Sequence, residues 1–207
     1  PTGLVPLAAF LGSLAAAGIV FAPPWRGGLS PVRFALAGVA VAALFTALST
    51  TLIASSDLFT QAVLAFLAGG LYLVNWQDFW TILPYTAVAA AVAIVFADWL
   101  NLLGLGDDVA RSVGLGVELT RLVLVALAAV LTAAAVSVAG LVGFVGLVAP
   151  HVARLLIGSD ERFAMPLAAI LGALLVVVAD VVARLVIAPS EIPVGILTAL
   201  VGAPVLL

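Results

Sequence analysis

The sequence predicts an all-α, polytopic membrane protein, and three observations lead to that fold class. Of the 207 residues, 66% are hydrophobic and only 8% are charged, whereas a soluble domain carries roughly a quarter charged residues. Stretches without any charge recur along the chain, and most are about as long as the roughly 20 apolar residues that a membrane-crossing helix needs. A nine-residue segment near the start recurs in the second half, as in transporters built from repeats.

The charge-free stretches predict about seven transmembrane helices. Pro23-Pro24 is expected to end the first span near Ala22. The stretch 122–153 is too short for two full crossings, so glycines from Gly140 onwards are expected to break it. Residues 58–70 are expected to form a short helix at the membrane or dipping into it. The predicted spans are 1–22, 34–56, 79–98, 120–139, 141–157, 163–187 and 192–207.

The arginines predict the orientation of these spans. The chain has seven arginines and no lysine, and six of them fall in three connections that share one side of the membrane. Cytoplasmic connections carry the excess of positive charge in membrane proteins, so that side is expected to be the cytoplasm. Arg184 is then the one arginine on the outer side. The six inner arginines are Arg26, Arg33, Arg111, Arg121, Arg154 and Arg162.

The repeated segment predicts an inverted-topology architecture. Residues 6–14 read PLAAFLGSL and residues 166–174 read PLAAILGAL, with seven of nine positions identical. The two copies begin on opposite sides of the membrane in the orientation above, which is the arrangement of an inverted repeat. The spans 120–139 and 141–157 come directly before the second copy and no span comes before the first, so further N-terminal spans are expected to belong to the protein.

Composition also excludes several functions. A standard ATP-binding P-loop needs a lysine, which this chain lacks. Without cysteine and with His151 as its one histidine, the chain offers no thiolate or multi-histidine metal centre. A net charge of −3 without a basic cluster argues against binding of nucleic acid. One histidine and scattered serines form no nucleophile–base pair, so no catalytic residues and no cofactor are expected.

Two segments carry a specific resemblance. Residues 143–162 read GFVGLVAPHVARLLIGSDER and residues 189–204 read PSEIPVGILTALVGAP. They closely resemble the FecCD family, the permease subunits of ATP-binding cassette (ABC) importers for iron siderophores, haem and vitamin B12. The resemblance implies a type II ABC importer permease-like fold in the cytoplasmic (inner) membrane, with 1–207 as one transmembrane permease domain lacking its first spans. It implies three partners besides the lipid bilayer: an ATP-binding cassette subunit that binds ATP, an extracytoplasmic substrate-binding protein, and a second permease subunit.

Residues 101–119 form the predicted cytoplasmic coupling loop. Within it, LGDDVARSVG resembles a family motif whose short helix sits in a groove of the ATPase subunit. Asp107 is expected to cap that helix and Gly114 to stop it. A bulky residue at Ala110 is expected to overpack the contact with the groove. The predicted coupling residues are Gly106, Asp107, Ala110, Arg111 and Gly114; a solvated loop with one capped turn is the structural alternative.

Stripes of small residues mark two spans as candidates for the translocation path. Small residues at four-residue spacing let helices approach closely, so ordinary packing is the alternative interpretation. The resemblance implies that these two helices line the path at the axis of a permease dimer. The predicted path residues are Gly38, Ala42 and Thr46 in one span and Gly195 and Ala199 in the other.

The remaining charged positions carry structural and functional interpretations side by side. Asp180 and Arg184 are four residues apart and are expected to form an ion pair on one helix face. The resemblance implies a second role for Arg184, which is docking of the substrate-binding protein. His151 is interpreted as a packing or hydrogen-bonding residue, and Asp160-Glu161-Arg162 departs from the D-H-R that is usual in the family.

The function expected from the resemblance is import of an iron–siderophore complex. Residues 66–72 (FLAGGLY) and 75–78 (NWQD) resemble siderophore permeases more than those for haem or vitamin B12, which stay as alternatives. A secondary transporter coupled to protons or sodium is a further alternative, since it is also built from inverted repeats. That class generally uses ionisable groups near the midplane, and only the Asp180–Arg184 pair is available here.

Overall fold

The computed structural model describes residues 4–27, 31–55, 64, 66–67, 69–71, 74–186 and 193–205. All regular secondary structure within these residues is helical. This confirms the predicted all-α class. In the described part the helices are α1 (Leu4–Gly27), α2 (Pro31–Ser55), α3 (Trp76–Val95), α4 (Ala97–Gly104), α5 (Asp107–Ser112), α6 (Val117–Ala139), α7 (Val145–Ile157), α8 (Glu161–Val186) and α9 (Val194–Val205).

Four stretches within these helices are long and apolar enough to cross a membrane, within the residues described. They are Leu36–Ala54 in α2 and the whole of α3, α6 and α8. Two shorter apolar helical stretches, Ala8–Val20 and α7, accompany them. The chain is therefore a multi-pass membrane protein, and the count of seven spans stays a prediction.

Two predicted span ends were wrong. The helix α1 continues past Pro23-Pro24 to Gly27 instead of ending near Ala22; transmembrane helices tolerate proline because neighbouring groups satisfy the freed carbonyls. The predicted span 79–98 ends at Val95, and the chain turns at Phe96 into the separate helix α4. The predicted break after residue 139 is confirmed, since Gly140 adopts φ 68° and α7 begins five residues later. Most of the predicted short helix 58–70 lies outside the described residues.

The helix α6 is central to the packing. It lies against α1 and α3, while α7 packs on α8 and α9 packs on both of them. Small side chains fill these contacts, as is usual where membrane helices approach closely. Large apolar side chains such as Leu155, Leu185 and Leu200 are exposed, which suits contact with lipid or with another protein. The most deeply buried alanines are Ala110, Ala133 and Ala153.

Two non-helical segments cross at the C-terminal end of α6. The Gly70 N–H donates to the Ala139 carbonyl at 3.0 Å, and the Leu141 N–H donates to the Phe66 carbonyl at 3.4 Å. In lipid every backbone polar group needs a partner, so irregular backbone is tolerated only where protein satisfies it. These bonds supply partners where α6 is interrupted. The crossing and the predicted coupling loop lie at opposite ends of α6, about 33 Å apart along its axis.

Candidate functional site: the cytoplasmic coupling segment

The helices α4 and α5 form a compact segment, 97–116, that connects α3 to α6 on the predicted cytoplasmic side. The residue at the N-cap of α5 is Gly106, with φ 107°, and Asp107 is the first helical residue. The predicted cap by Asp107 was therefore wrong. Its carboxylate makes no cap hydrogen bond because, as described below, Arg121 holds it.

The predicted stop at Gly114 is confirmed. Gly114 adopts φ 88° and its N–H donates to the Arg111 carbonyl at 2.9 Å, while the Leu115 N–H donates to the Ala110 carbonyl at 3.0 Å. These two bonds form a Schellman motif, which ends a helix on a residue with positive φ and so favours glycine. The short helix α5 is thus closed at its C-terminal end by its own backbone.

Arg121 fixes α5 to the first turns of α6. Its guanidinium donates two hydrogen bonds to the Asp107 carboxylate, Nη1 to Oδ2 at 3.0 Å and Nη2 to Oδ1 at 2.6 Å. The two side chains are about one-third exposed. A bidentate pair of this kind fixes orientation as well as distance. Asp107 therefore belongs to the joint between α5 and α6, and we name this ion pair the α5–α6 clamp.

The buried face of α5 contains Ala110, whose side chain has an exposed fraction of 0%. The expectation that Ala110 lies at a contact with a partner is corrected by this burial, because its methyl group packs inside the chain. The exposed face of α5 and its flanks carries Val109, Val113 and Leu105, at 44%, 65% and 68% exposed. Arg111 is exposed as well. An exposed apolar surface on a segment outside the spans is a candidate contact surface for a partner protein.

A second polar cluster joins α4 to the turn between α7 and α8. The Asn101 side chain donates to the Asp160 Oδ1 at 2.9 Å and accepts the Glu161 N–H at 2.9 Å. Arg162 donates through Nε to the Asp98 carboxylate. These three hydrogen bonds join residues some sixty positions apart in the sequence. We name this cluster the α4–α8 clamp; it consists of Asp98, Asn101, Asp160, Arg162 and the Glu161 N–H.

Two carboxyl groups of the α4–α8 clamp are held in their charged form. The hydrogen bond from Arg162 lowers the pKa of Asp98 below its ordinary value. The hydrogen bonds from the Asn101 amide and then from the Arg162 N–H lower the pKa of Asp160. Both groups lie outside the spans and face solvent. Asp98 and Asp160 are therefore ionised at neutral pH.

Glu161, which occupies the position of the histidine in the usual D-H-R, has a structural role. Its Oε1 accepts a hydrogen bond from Arg154 Nε at 3.1 Å and lies 3.0 Å from Arg154 Nη2, which completes an ion pair. Arg154 lies at the last turn of α7, so this pair closes the turn between α7 and α8 beside the clamp. His151 is exposed on α7.

The predicted path residues lie on separate helix pairs. The helix α2 packs on α1, and its Gly38, Ala42 and Thr46 leave a mostly exposed stripe of small groups. The Thr46 hydroxyl donates to the Ala42 carbonyl at 2.8 Å, so the donor is satisfied within its own helix. The helix α9 packs on α7 and α8, with Gly195 and Ala199 half-buried. Their role in a path stays a prediction.

The predicted pair Asp180–Arg184 is confirmed. Arg184 donates from Nε to the Asp180 Oδ2 at 2.9 Å and from Nη2 to Oδ1 at 3.3 Å. Arg184 is 46% exposed and lies at the end of α8, where Ala183 packs against Val194 of α9. The docking role of Arg184 stays a prediction. The neighbouring positions 187–192 lie outside the described residues.

An apolar groove of about 390 Å³ opens near the Arg154–Glu161 pair. Its walls come from α3, α4, α6, α7 and α8, and include Ala93, Leu131 and Ala168. None of the predicted path residues lines it. The groove is therefore distinct from the predicted path.

Sequence reasoning did not assign the residues that hold the coupling segment in place. Asp98 and Asn101 lie in a short helix that the predicted span 79–98 partly absorbed. The sequence marks Arg121 only as one of the positive charges on the predicted inner side. The signal available was the concentration of charges at 98–121 and 160–162 in a chain otherwise nearly free of charge; the pairing among them needed the structure.

The fold and this segment together define a class: a polytopic membrane protein with broken helices and a short helical segment held at one end of α6 by polar contacts. The whole chain, residues 1–207, matches the FecCD transport family. The chain belongs to that family, as its motifs predicted.

Curated relatives in this family include permeases for several chelates. The chain is 44% identical over 179 residues to the iron(3+)-hydroxamate import system permease protein FhuB of Bacillus subtilis (strain 168), covering 86% of this chain and 46% of FhuB. It is 38% identical to the Fe(3+)-citrate import system permease protein YfmD of the same organism, covering 95% and 59%. It is 41% identical to the cobalamin import system permease protein BtuC of Halobacterium salinarum, covering 95% and 53%. The chain thus spans about half to three fifths of these relatives.

A solved structure shares the fold. It is an inward-facing conformation of a protein described as a metal-chelate type ABC transporter, with a TM-score of 0.85 and 27% sequence identity. The match covers 99% of this chain and 72% of that chain. The similarity supports the predicted ABC importer permease-like fold over nearly all of the chain.

Proposed function

We propose that the protein containing this chain is the permease subunit of an ABC importer that carries an iron–siderophore complex across the cytoplasmic (inner) membrane. A partner ATP-binding cassette subunit hydrolyses the ATP, and the permease contributes no catalytic residue and binds no cofactor. Residues 1–207 form part of its single transmembrane domain. The observation that carries the proposal is the clamped segment 97–116, which presents an exposed apolar surface beside the transmembrane helices.

The coupling surface follows from the orientation of α5. Val109 and Val113 face outward, whereas Ala110 faces the chain and Asp107 is held by Arg121. The ATPase subunit therefore contacts Val109, Val113 and the exposed Arg111. Gly106, Asp107, Ala110 and Gly114 hold the helix in the shape that the contact needs. This assignment divides the predicted coupling residues into a contact set and a supporting set.

Two further surfaces are assigned to the other partners, one within the membrane and one on its outer side. The small-residue stripe of α2 packs closely against a second permease subunit, because a row of glycine, alanine and threonine lets two backbones approach. The path then runs between the stripes of α2 and α9. Arg184, half-exposed at the outer end of α8, contacts an acidic group of the substrate-binding protein. Its pairing with Asp180 presents the guanidinium in one orientation.

The substrate class is inferred from the relatives. FhuB and YfmD are named for iron(3+)-hydroxamate and Fe(3+)-citrate import, and BtuC for cobalamin. Two of these three cargoes are ferric chelates, and the segments 66–72 and 75–78 favour the same class. Cobalamin and haem are the alternatives, and an ion-coupled secondary transporter is the alternative outside the ABC class.

Transport by the full-length permease, reconstituted in liposomes with its ATPase subunit and binding protein, tests the proposal. We expect uptake of a ferric hydroxamate that requires ATP and exceeds uptake of cobalamin or haem by at least about tenfold, which corresponds to 1.4 kcal/mol of discrimination. Liposomes with an ATPase subunit that cannot hydrolyse ATP are the control. Uptake driven by a proton or sodium gradient without ATP would identify a secondary transporter instead. Uptake of cobalamin alone would retain the importer class and reject the siderophore.

A further inference from the structure

The coupling segment is attached to two different transmembrane helices by two separate sets of polar contacts. The α5–α6 clamp consists of Arg121 and Asp107, and the α4–α8 clamp consists of the contacts of Asn101 and Arg162 with Asp160, Glu161 and Asp98. The two clamps share no residue. They hold different helices of the segment, since Asp98 and Asn101 lie in α4 and Asp107 begins α5.

The segment between the clamps has little freedom to bend. The chain passes from α4 to α5 through two residues, Leu105 and Gly106, whose N–H groups donate to the carbonyls of Leu102 and Leu103 at 3.2 Å. Ala110 packs α5 inward with no exposed surface, and the Schellman bonds close its end. A force on the outer face of α5 therefore moves the whole segment.

We propose that the two clamps divide the movement of the coupling segment between α6 and α8, with Asn101 and Arg162 as the positioning residues that deliver it to α8. This inference rests on the proposed function and deepens it. The helix α8 carries Arg184 at its far end, and α9 packs on α8. The α4–α8 clamp thus connects the surface proposed to contact the ATPase subunit with the helices α8 and α9. These two helices carry the proposed docking residue, Arg184, and the predicted path residues Gly195 and Ala199. The α5–α6 clamp connects the same surface with α6, which ends at the crossing formed around Gly70 and Leu141.

Two distances measured in one protein separate the clamps. The sequence has no cysteine, so single cysteines introduced here can carry nitroxide labels once any cysteines elsewhere in the full-length permease are replaced by serine. Val109 reports on α5, Ile170 on α8 and Ala128 on α6, and all three side chains are exposed. Ile170 and Ala128 lie about two helical turns from the clamp residues Arg162 and Arg121, so a label at either position leaves its clamp intact.

Breaking one clamp should loosen one distance only. Asn101→Leu with Arg162→Gln removes the contacts of the α4–α8 clamp at similar side-chain volume. We expect the Val109–Ile170 distance distribution to widen to about twice its original width, as for a segment released from local contacts, while Val109–Ala128 stays narrow. Arg121→Gln should give the reverse pattern. Equal widening of both distributions by either change, or no widening, overturns the inference.

Transport supplies the functional readout. In the reconstituted complex, Asn101→Leu with Arg162→Gln should raise the ATP hydrolysed per chelate imported several-fold, while the basal ATPase rate and assembly with the ATPase subunit persist. The exchange of charges, Asp98→Arg with Arg162→Asp, should recover part of the loss. Ser112→Ala on the exposed side of α5 is the matched control. A folded double variant with an unchanged ratio overturns the inference, whereas absence of ATP-driven uptake in the unsubstituted complex would overturn the proposed function and leave the distances to test the clamps.

Discussion

Gly69 and Gly140 have backbone conformations that other residues rarely adopt. Their φ angles are 71° and 68°, in the left-handed region that favours glycine. A Cβ on Gly140 would overlap the Phe66 carbonyl oxygen, and a Cβ on Gly69 would overlap the Leu141 carbonyl oxygen. Both oxygens are backbone atoms and cannot turn away. Glycine is therefore required at these two positions by conformation and by space together.

Gly140→Ala is expected to destabilise the protein. Positive φ costs an alanine about 1–3 kcal/mol, and the overlap with Phe66 adds to that cost. We expect the midpoint of thermal unfolding in detergent, followed by loss of the monodisperse elution peak, to fall by several degrees. Gly12→Ala is the control, because Gly12 lies within α1 with open space around its Cα. Equal midpoints for Gly140→Ala and the unsubstituted protein would contradict the tight crossing.

Ala110 shows that the sequence alone does not reveal which residues of a short helix are buried. Its place in the motif predicted a contact residue, and the Schellman stop at Gly114 was predictable because glycine at that position has a distinct conformational reason. Which face of a six-residue helix points inward depends on α4 and α6, which pack on α5. Sequence periodicity cannot decide the facing of so short a helix. The cap assigned to Asp107 failed for a similar reason, since Arg121 is fourteen residues away.

At the scale of elements, the α4–α8 clamp joins two helices, α4 and α8, through surface polar groups. Isolated exposed ion pairs contribute little, so its effect depends on the contacts acting together. The lowered pKa values of Asp98 and Asp160 mean that folding favours their ionised forms. The resulting stability is present above the ordinary carboxyl pKa of about 3.9 and is lost as pH falls through the lower folded values.

Acidification should therefore open this clamp at low pH and not near neutrality. We expect the Val109–Ile170 distance distribution to stay narrow from pH 7 to about pH 5 and to widen below about pH 4. The variant Asp98→Asn with Asp160→Asn should be wide already at pH 7. Asp108→Asn, on the exposed side of α5, serves as the control. Widening of the unsubstituted protein between pH 7 and pH 6 would contradict the carboxyl origin of the effect.

Element boundaries followed the sequence closely where a charge or a glycine marked them. The break after residue 139 and the limits of α8 near 163 and 187 were predictable because Gly140 and the charges at 160–162 interrupt apolar runs. The separate helix α4 was not, because Phe96 continues the apolar run of α3 and the first charge, Asp98, comes only two residues later. The prolines in α1 led to the opposite error, because they predicted an end where the helix continues. A membrane helix accommodates a proline that a soluble helix tolerates poorly.

At the scale of the whole molecule, the clamps support the topology that the arginines predicted. The Asn101–Asp160 hydrogen bond requires segments 97–112 and 158–162 to lie on one side of the membrane. The Gly70–Ala139 bond places residues 69–71 at the other end of α6. These contacts agree with two of the three connections assigned to the cytoplasm. They relate the segments to each other, while the arginine count alone says which side is the cytoplasm.

Labelling in intact cells tests that assignment. Single cysteines at Ser112 and Ser159 should be protected from a membrane-impermeant thiol reagent, because both positions lie on the arginine-rich side. A cysteine at Trp76, which begins α3 and is 77% exposed, should react from outside. All three should react after the membrane is permeabilised, which controls for accessibility. Reaction of Ser112Cys and Ser159Cys from outside, with Trp76Cys protected, would reverse the orientation. The coupling surface would then face away from any cytoplasmic ATPase, and the importer proposal would lose its route for energy.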